Sequence, residues 1–315
     1  MKAVVLSGIG KSKRFAVVDK PTPKPEAHQV LVKVHAASVN PKDWKLNTKI
    51  GALRAPFGTG FAKPVLGDDL AGTVVEVGSQ VKSFKIGDRV YGMDMRLHTV
   101  SLAEFAIIDE VRLAPMPSNL SFNEAAAYPL AAQTALQGLR QGGAGEGSAV
   151  LIIGASGGVG TFAVQIAKAM GCHVTAVCSG RNAELVSSLG ADVLIDYTAV
   201  DFKAEAGQFD MIFDVTSYET PGSCKNLMKE NGHFVSTMGH MRANIATRFA
   251  DKERASIVTV ESWRDDLDAL TAWTEGGQLK PIIDSTYPLA QSKEAYQASQ
   301  SGRARGKIVI EVCSE

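Results

Sequence analysis

One segment constrains the fold of this chain more than any other. In AVLIIGASGGVGTFAVQIAKAMG, an apolar strand at residues 149–153 leads into a glycine-rich loop, and a helix follows from Val159. A short, continuous apolar strand is typical of a parallel sheet covered on both faces. Glycines in the turn let the amides at the helix N-terminus approach a phosphate closely. The segment therefore predicts an α/β domain that binds a dinucleotide at the loop from Gly154 to Gly160.

The loop departs from the strict G-x-G-x-x-G spacing, but it meets the same physical demands. Its glycines permit a tight turn, and a serine hydroxyl within it can add one more donor to a phosphate. The strand before it and the helix after it are the context that such a motif requires. The loop residues predicted to contact the pyrophosphate are Gly154, Ser156, Gly157, Gly158 and Gly160.

Two different sequence patterns divide the chain into domains. Before about residue 121, alternating runs separated by Pro and Gly predict strands at 1–6, 29–38, 72–77 and 89–92. After it, apolar strands alternate with helices, which predicts a doubly wound parallel sheet. We interpret the chain as a β-rich domain of residues 1–124 and 263–315, interrupted by a dinucleotide domain of residues 125–262. The cleft between such domains is the expected active site.

The same patterns predict the individual strands and helices after about residue 121. The run EAAAYPLAAQTALQGL after Asn123 has the small-residue pattern of a helix. Strands are expected at 149–153, 173–178, 193–196 and 211–215, and helices at 159–170, 182–189 and from 222–227 onward.

The end of the next strand indicates which cofactor binds. Folds that prefer NAD carry an Asp or Glu there to hold the ribose hydroxyls. Here the strand at 173–178 ends in Ser179-Gly180-Arg181-Asn182, without an acid. A serine hydroxyl and a guanidinium suit a 2′-phosphate, which favours NADPH over NADH. The alternative for Arg181 is a solvated cation at the start of a helix.

Charge, hydrophobicity and cysteine content argue against several classes of protein. The 33 basic and 33 acidic side chains balance, so the chain lacks the positive footprint of a nucleic-acid partner. No apolar run reaches the ~18 residues of a membrane helix, and the N-terminus has no signal-peptide pattern. The four cysteines form no Cys-x-x-Cys pair, which argues against a disulfide framework or a zinc knuckle. We therefore expect a soluble, cytoplasmic protein that acts on a small molecule.

Several ordered blocks extend over nearly the whole chain. Together they resemble the zinc-free quinone oxidoreductase branch of the medium-chain dehydrogenase/reductase superfamily, in particular its 2-alkenal reductase type. The resemblance implies a GroES-like catalytic domain, a Rossmann domain and a homodimer. The blocks are ASVNPKDW (37–44), GDDLAGTVVEVG (67–78), GDRVYG (87–92), LAAQTAL (130–136), GASGGVG (154–160), LGADVLIDY (189–197) and GKIVI (306–310).

The same resemblance assigns further residues to the cofactor. Tyr197 would join Ser179 and Arg181 around the 2′-phosphate, or else pack on the adenine. Thr134 would lie near the nicotinamide, unless its hydroxyl bonds only its own helix backbone. The other implied contacts are Val159 with the pyrophosphate, and Met238 and Gly239 with the nicotinamide ribose.

Two positions where zinc-dependent relatives carry metal ligands differ in this chain. Those relatives have a Cys just after the strand that here ends at Val39, and a His in a G-H-E turn. This chain has Asn40 and Gly67-Asp68-Asp69 at these places. Because zinc needs four N, S or O ligands in a tetrahedral array, we predict no metal. Without a Lewis acid, the expected reaction is hydride transfer from NADPH to a quinone or enone whose carbonyl is polarised by hydrogen bonds.

The predicted catalytic residues lie in the block NPKDW. Asn40 can donate its amide to the substrate or to the nicotinamide ribose. Trp44 stands where many relatives carry an aromatic wall for the substrate. Asp43 is the third candidate, and the alternative for it and for Asp68 is that they only cap turns.

Two other functions remain open. A trans-2-enoyl-thioester reductase would need a site for the phosphates of the carrier, and the chain shows only scattered basic residues there, namely Lys42, Lys45, Lys49 and Arg54. The other alternative is a non-catalytic NADPH-binding protein with a regulatory or structural role.

Overall fold

The computed structural model describes residues 1–7, 14–45, 66–95, 101–205, 207–237 and 241–313. The chain forms two compact units. The first unit contains residues 1–130, 262–275 and 281–315, and the second contains residues 131–261 and 276–280. Met238 and Gly239, predicted to contact the nicotinamide ribose, lie outside the described residues.

The first unit is built mainly of β-strands. Its main sheet has the order β14-β15-β3-β4-β5-β7, with β6 also paired to β3, while β1 and β2 form a separate antiparallel pair. The strands are β1 (Lys2–Ser7), β2 (Arg14–Asp19), β3 (Gln29–Val39), β4 (Asp69–Val77), β5 (Arg89–Met93), β6 (Phe105–Asp109), β7 (Leu113–Pro115), β14 (Ile283–Pro288) and β15 (Lys307–Glu311).

Strand β3 explains where the core of this unit lies. Val30, Val32 and Val34 alternate along it and pack in one hydrophobic cluster. Ala37 and Val39 point to the opposite face and pack in a second cluster. Because the end of β3 is buried on both faces, polar groups just beyond it lie at a buried position and need partners.

Five helices lie wholly or partly in the described residues of this unit. They are α1 (Pro41–Lys45), α2 (Phe122–Ala126), α3 (Pro129–Gln141), which continues into the second unit, α8 (Arg264–Glu275) and α9 (Ser292–Gln300). The single helix expected after Asn123 is in fact two, α2 and α3. A capping box between Ser121 and Glu124 starts α2, and Pro129 begins α3 at a position where its missing N–H has no cost.

The second unit holds a six-stranded, fully parallel sheet in the order β10-β9-β8-β11-β12-β13. Counted from β8, this is the order 3-2-1-4-5-6 of a doubly wound dinucleotide-binding sheet. The strands are β8 (Ala149–Ile153), β9 (His173–Cys178), β10 (Val193–Asp196), β11 (Phe209–Asp214), β12 (Met228–Ser236) and β13 (Ala255–Ile257). The helices are α4 (Gly158–Ala169), α5 (Ala183–Ser188), α6 (Phe202–Glu205) and α7 (Met241–Arg248).

One predicted helix of this unit is wrong. Residues 222–227 form a turn and a single 3-10 turn, after which β12 begins at Met228. Thr220 and Ser223 each accept a hydrogen bond at 3.0 Å from the backbone N–H of the other, and these local bonds compete with helix formation. In the parts of the chain that the structure describes, no helix is long and apolar enough to cross a membrane.

Candidate active site

The glycine-rich loop connects β8 to α4 at the carboxyl edge of the parallel sheet. Gly154 has a φ of +89°, a conformation that side chains with a Cβ rarely adopt. A Cβ on Gly160 would lie 2.2 Å from the carbonyl oxygen of Gly154, so the loop folds tightly against the first turn of α4. The first amides of α4 have no carbonyl partner within the helix. Amides at the N-terminus of a helix after such a turn are donors of the kind that bind phosphates in other proteins, and the predicted pyrophosphate contacts of this loop stay a prediction.

The end of β9 is joined to this loop by one side chain that the sequence analysis did not single out. Asn182 is buried, with 5% of its surface exposed. Its Nδ2 donates to Ser156 Oγ at 2.8 Å and to Ser179 Oγ at 3.2 Å. The structure therefore brings together the two serines that were predicted to contact different phosphates. Arg181, next to them, is exposed and has no ion pair among the described residues.

The end of β10 contributes a residue of opposite charge. A Cβ on Gly180 would lie 2.3 Å from Asp196 Oδ2, so this carboxylate lies against the turn after β9. Asp196 accepts from the hydroxyl of Thr198 at 2.6 Å, and this bond lowers its pKa. Tyr197 follows directly and is 58% exposed. The sequence shows no acid at the end of β9, yet the fold supplies one from the neighbouring strand.

The predicted nicotinamide contacts are only partly described. Thr134 lies in α3 and is buried, with 6% of its surface exposed. Its role, like that of Met238 and Gly239, stays a prediction.

In the first unit, strand pairing builds a buried polar cluster of four residues, Ser38, Asn40, Asp69 and Lys307. Because Ile308 pairs with Val39, Lys307 and Asn40 face each other one step further along. Lys307 is only 4% exposed, and its Nζ donates to Asn40 Oδ1 at 2.5 Å and lies 3.4 Å from Asp69 Oδ2. A buried ammonium is tolerated when a carboxylate and other acceptors surround it in this way.

Within the buried polar cluster, Asp69 is the common acceptor. Its Oδ2 accepts from Asn40 Nδ2 at 2.9 Å and also from the hydroxyl of Ser38. Its Oδ1 accepts from the backbone N–H of Leu130 at 2.8 Å, at the start of α3. One fully buried carboxylate thus holds two strand ends and a helix terminus together.

These contacts fix the orientation of the Asn40 amide. An ammonium can only donate and an ionised carboxylate can only accept, so Oδ1 must face Lys307 and Nδ2 must face Asp69. One of the two amide hydrogens is used by Asp69. The predicted role of Asn40 as a donor to substrate or ribose therefore depends on the single N–H that is left.

Asp43 and Asp68 form a buried acidic pair beside the buried polar cluster. Asp43 Oδ2 accepts from the backbone N–H of Asn40 and from the hydroxyl of Tyr296, both at 3.0 Å. Asp68 pairs with the ammonium of Lys42 at 2.7 Å. Burial, reinforced by the charge of Asp68, raises the pKa of Asp43 to about 7. Burial also raises the pKa of Asp68 to about 6, although Lys42 opposes this effect.

These contacts bear on the predicted roles of the NPKDW block. Asp43 closes the first turn of α1, as the turn-capping alternative expects. A catalytic role for it stays a prediction. Trp44 lies in α1, but its side chain is outside the described part of the structure.

The raised pKa of Asp43 predicts a pH-dependent stability. In the folded chain Asp43 keeps a proton up to about pH 7, whereas an ordinary Asp, with a pKa of 3.8, loses it far earlier. The free energy of unfolding should therefore fall as the pH rises between these values, by up to about 1.4 kcal/mol per pH unit. Replacing Asp43 with Asn should remove its share of this slope and leave the share that comes from Asp68, and denaturant titrations across the same pH range would measure the difference.

A second substitution separates the two acids. Asp68→Asn removes the neighbouring charge that raises the pKa of Asp43, so the fall in stability, which starts near the ordinary Asp pKa of 3.8, should end at a lower pH than in the wild type. Equal slopes in wild type, D43N and D68N would contradict the assignment.

Sequence reasoning missed three residues of these sites, Lys307, Tyr296 and Asn182. A signal existed for Lys307, because a lysine opening the apolar strand KIVI needs a buried partner. Tyr296 gave no such signal, since nothing in its own helix points to an acid far away in the chain. Among the described residues, no group of three or more His, Cys, Asp or Glu is placed to hold a metal ion.

Comparison with known proteins places these features in a family. Residues 26–118 match the alcohol dehydrogenase GroES-like domain, and residues 189–310 match a family described as zinc-binding dehydrogenase. A chloroplast envelope quinone oxidoreductase homolog of Arabidopsis thaliana is 35% identical over 309 residues, which cover 93% of each chain. A 2-methylene-furan-3-one reductase of Solanum lycopersicum is 39% identical over 293 residues, covering 90% of this chain and 71% of that protein. The solved structure of a quinone oxidoreductase from Coxiella burnetii has a TM-score of 0.89 at 31% identity and covers 99% of each chain.

A GroES-like domain and a Rossmann sheet with a glycine-rich loop in one chain define a dinucleotide-dependent type of oxidoreductase fold. The likeness extends along almost the whole chain in both the sequence and the structural comparison. The chain belongs to the quinone oxidoreductase branch of the medium-chain dehydrogenase/reductase superfamily. These matches confirm the predicted family, the predicted fold class and the assignment as an enzyme.

Proposed function

We propose that this protein is a zinc-independent, NADPH-dependent oxidoreductase that transfers hydride to quinones or to α,β-unsaturated carbonyl compounds such as enones and 2-alkenals. Two relatives support the class of acceptor, because one is named for quinones and the other for a 2-methylene-furan-3-one, a ketone conjugated to a double bond. The observation that carries the cofactor assignment is the pair of serines, Ser156 and Ser179, joined at the carboxyl edge of the sheet.

Several residues of the second unit support the choice of NADPH as the cofactor. When bound, this cofactor supplies the hydride. The loop residues predicted from the sequence, with Val159, would hold the pyrophosphate at the N-terminus of α4. Ser179, Arg181 and Tyr197 would hold the 2′-phosphate, and the exposed guanidinium of Arg181 is free of ion pairs with described residues.

The buried polar cluster supports a reaction without zinc. The ammonium of Lys307 already lies next to Asn40 and Asp69, so a metal cation at this place would meet like charge. Asn40 Oδ1 is occupied by that ammonium. Its remaining N–H is what we propose polarises the carbonyl of the acceptor.

The acidic pair would serve the site by holding a proton. Because the pKa of Asp43 is about 7, a share of its carboxyls stays protonated near neutral pH, next to the hydroxyl of Tyr296. We propose that Asp43 keeps this end of α1 neutral and ordered while Trp44 forms the apolar wall for the substrate.

Other predictions remain proposals. The two compact units support a catalytic domain of residues 1–124 and 263–315 and an NADPH domain of residues 125–262. A homodimer and a cytoplasmic location rest on the resemblance and on the composition alone.

The test is an absorbance assay of cofactor oxidation with a panel of 1,4-quinones, 2-alkenals, enones and crotonyl-CoA, each run with NADPH and with NADH. We expect turnover with quinones or enones, a strong preference for NADPH, and no effect of a chelator. Turnover only with crotonyl-CoA would assign a thioester reductase. Tight NADPH binding without turnover would assign a binding protein.

A matched pair of arginine variants tests whether Arg181 causes the preference for NADPH. Arg181→Ala should raise the KM for NADPH by about 10–100-fold and leave the KM for NADH nearly unchanged. Arg303 is also exposed but belongs to the first unit, so Arg303→Ala should leave both values unchanged. Equal effects of R181A on both cofactors would contradict a 2′-phosphate contact.

A further inference from the structure

Asn182 lies at the junction between the glycine-rich loop and the end of β9, and no contact with the cofactor has been assigned to it. It ends the 3-10 turn after β9, directly before α5. Its side chain is buried, and the same Nδ2 atom lies within hydrogen-bond distance of Ser156 Oγ in the glycine-rich loop and of Ser179 Oγ after β9. The two serines come from different strand ends, and Asn182 sets the position of both hydroxyl groups.

The direction of these hydrogen bonds determines which kind of group the two serine hydroxyls can bind. An amide nitrogen has two hydrogens and donates both, one to each serine oxygen. Each hydroxyl oxygen therefore acts as an acceptor towards Asn182, and its own hydrogen is left for another acceptor. A phosphate oxygen can only accept, whereas a ribose hydroxyl can either donate or accept. Two hydroxyls fixed as donors therefore suit two phosphate groups.

The other end of the amide is an open acceptor. Asn182 Oδ1 is buried and has no hydrogen-bond partner among the described residues. Buried polar atoms without a partner are uncommon in native structures, and each one calls for an explanation such as a bound ligand, an ion or a water molecule. Because Oδ1 can only accept, it needs a donor such as a ribose hydroxyl of a bound dinucleotide or a water molecule, and a phosphate oxygen cannot supply one.

Charge at the junction makes the hydroxyl orientation more important. The carboxylate of Asp196 lies against Gly180 and repels an added phosphate. Its pKa is lowered by Thr198, so it stays ionised. Arg181 supplies one positive charge that compensates Asp196. Correctly oriented hydrogen-bond donors must supply the rest of the preference for NADPH over NADH.

We propose that Asn182 is a positioning residue for cofactor specificity, which holds Ser156 and Ser179 as donors to the pyrophosphate and the 2′-phosphate of NADPH. The inference rests on the proposed function, because it takes the ligand to be a phosphorylated dinucleotide. Ser156 serves a phosphate group that NADPH and NADH share. Ser179 serves the group that only NADPH has, so the loss of Asn182 weakens NADPH binding more.

The experiment measures the affinity of the full-length chain for 2′,5′-ADP and for 5′-ADP by titration calorimetry. Asn182→Asp has nearly the same shape but accepts where Asn donates, so both serines turn their hydrogens inward. We expect N182D to weaken 2′,5′-ADP by roughly 100-fold and 5′-ADP by roughly 10-fold. Asn182→Ala, which buries no charge, should give the same order of effects with smaller values and serves as the second variant if N182D does not fold.

A double-mutant cycle separates positioning from general damage to the fold. If Asn182 acts through Ser179, then N182A should no longer change the ratio of the two affinities once Ser179→Ala is present. Additive effects in N182A/S179A, or equal losses for both ligands in N182A, would overturn the inference while leaving the proposed cofactor intact. Failure of the wild-type chain to bind 2′,5′-ADP at all would instead overturn the NADPH assignment itself, and the inference with it.

Discussion

Replacing Lys307 with methionine is expected to destabilise the first unit by about 3–5 kcal/mol. Methionine fills a similar volume but leaves the fully buried carboxylate of Asp69 without its compensating charge. The amide of Asn40 also loses the donor that fixes its orientation. Urea titration followed by circular dichroism should show this as a large fall in the midpoint of the transition that belongs to the first unit.

The charge itself can be separated from the lost contacts. Combining Lys307→Met with Asp69→Asn removes both charges, and a large part of the stability should return. As a matched control, Lys229 forms an ion pair with Asp210 at 2.8 Å on the surface, and Lys229→Met should have little effect. If K307M were as mild as K229M, the buried pair could not be what holds the end of β3 and the start of β15.

The second large effect is expected from Gly160→Ala. The added Cβ would lie 2.2 Å from the carbonyl oxygen of Gly154 and 2.8 Å from backbone atoms of Ala155, none of which can move independently. We expect a loss of about 1–3 kcal/mol in the stability of the second unit. Because the same displacement opens the phosphate cradle, the affinity for NADPH should fall by roughly 10–100-fold.

The neighbouring Gly157 offers a control within the same loop. A Cβ there would lie 3.6 Å from the nearest heavy atom, the carbonyl oxygen of Gly154, which is ordinary contact. Gly157→Ala should therefore leave the free energy of unfolding almost unchanged. Similar losses of stability in G157A and G160A would show that the loop is limited by backbone flexibility rather than by the close approach at Gly160.

The sequence predicted the parallel sheet well and the antiparallel sheet less well. The strands at 149–153, 173–178 and 193–196 have the bounds that were expected, since each is a compact apolar run with turn residues beside it. Strand β14 was missed. Its sequence IDSTYP alternates only between half-buried and exposed positions, because it pairs with β15 alone at the edge of the sheet.

In the candidate sites, too, the sequence predicts local features better than contacts between distant parts of the chain. The glycine-rich loop and Ser179 could be found because their chemistry depends on neighbours a few residues away. The contact between Lys307 and Asn40 spans 267 residues, and that between Tyr296 and Asp43 spans 253. No local pattern encodes such pairs. They follow from strand register and helix packing, which become known only when the fold is known.

Because β15 pairs with β3, the first unit cannot be completed until the last part of the chain has been synthesised. On the ribosome, Asn40 emerges 267 residues before its ammonium partner, a delay on the order of 10–50 s at about 5–20 residues per second. During that interval the whole continuous stretch of the Rossmann unit, residues 131–261, has been synthesised and can fold. Residues 36–39 of β3, which later pair with β15, meanwhile lack that partner, and Asp69 lacks the ammonium of Lys307. Nascent chains of this protein should therefore need chaperone protection chiefly at their N-terminal half, until the last strand arrives.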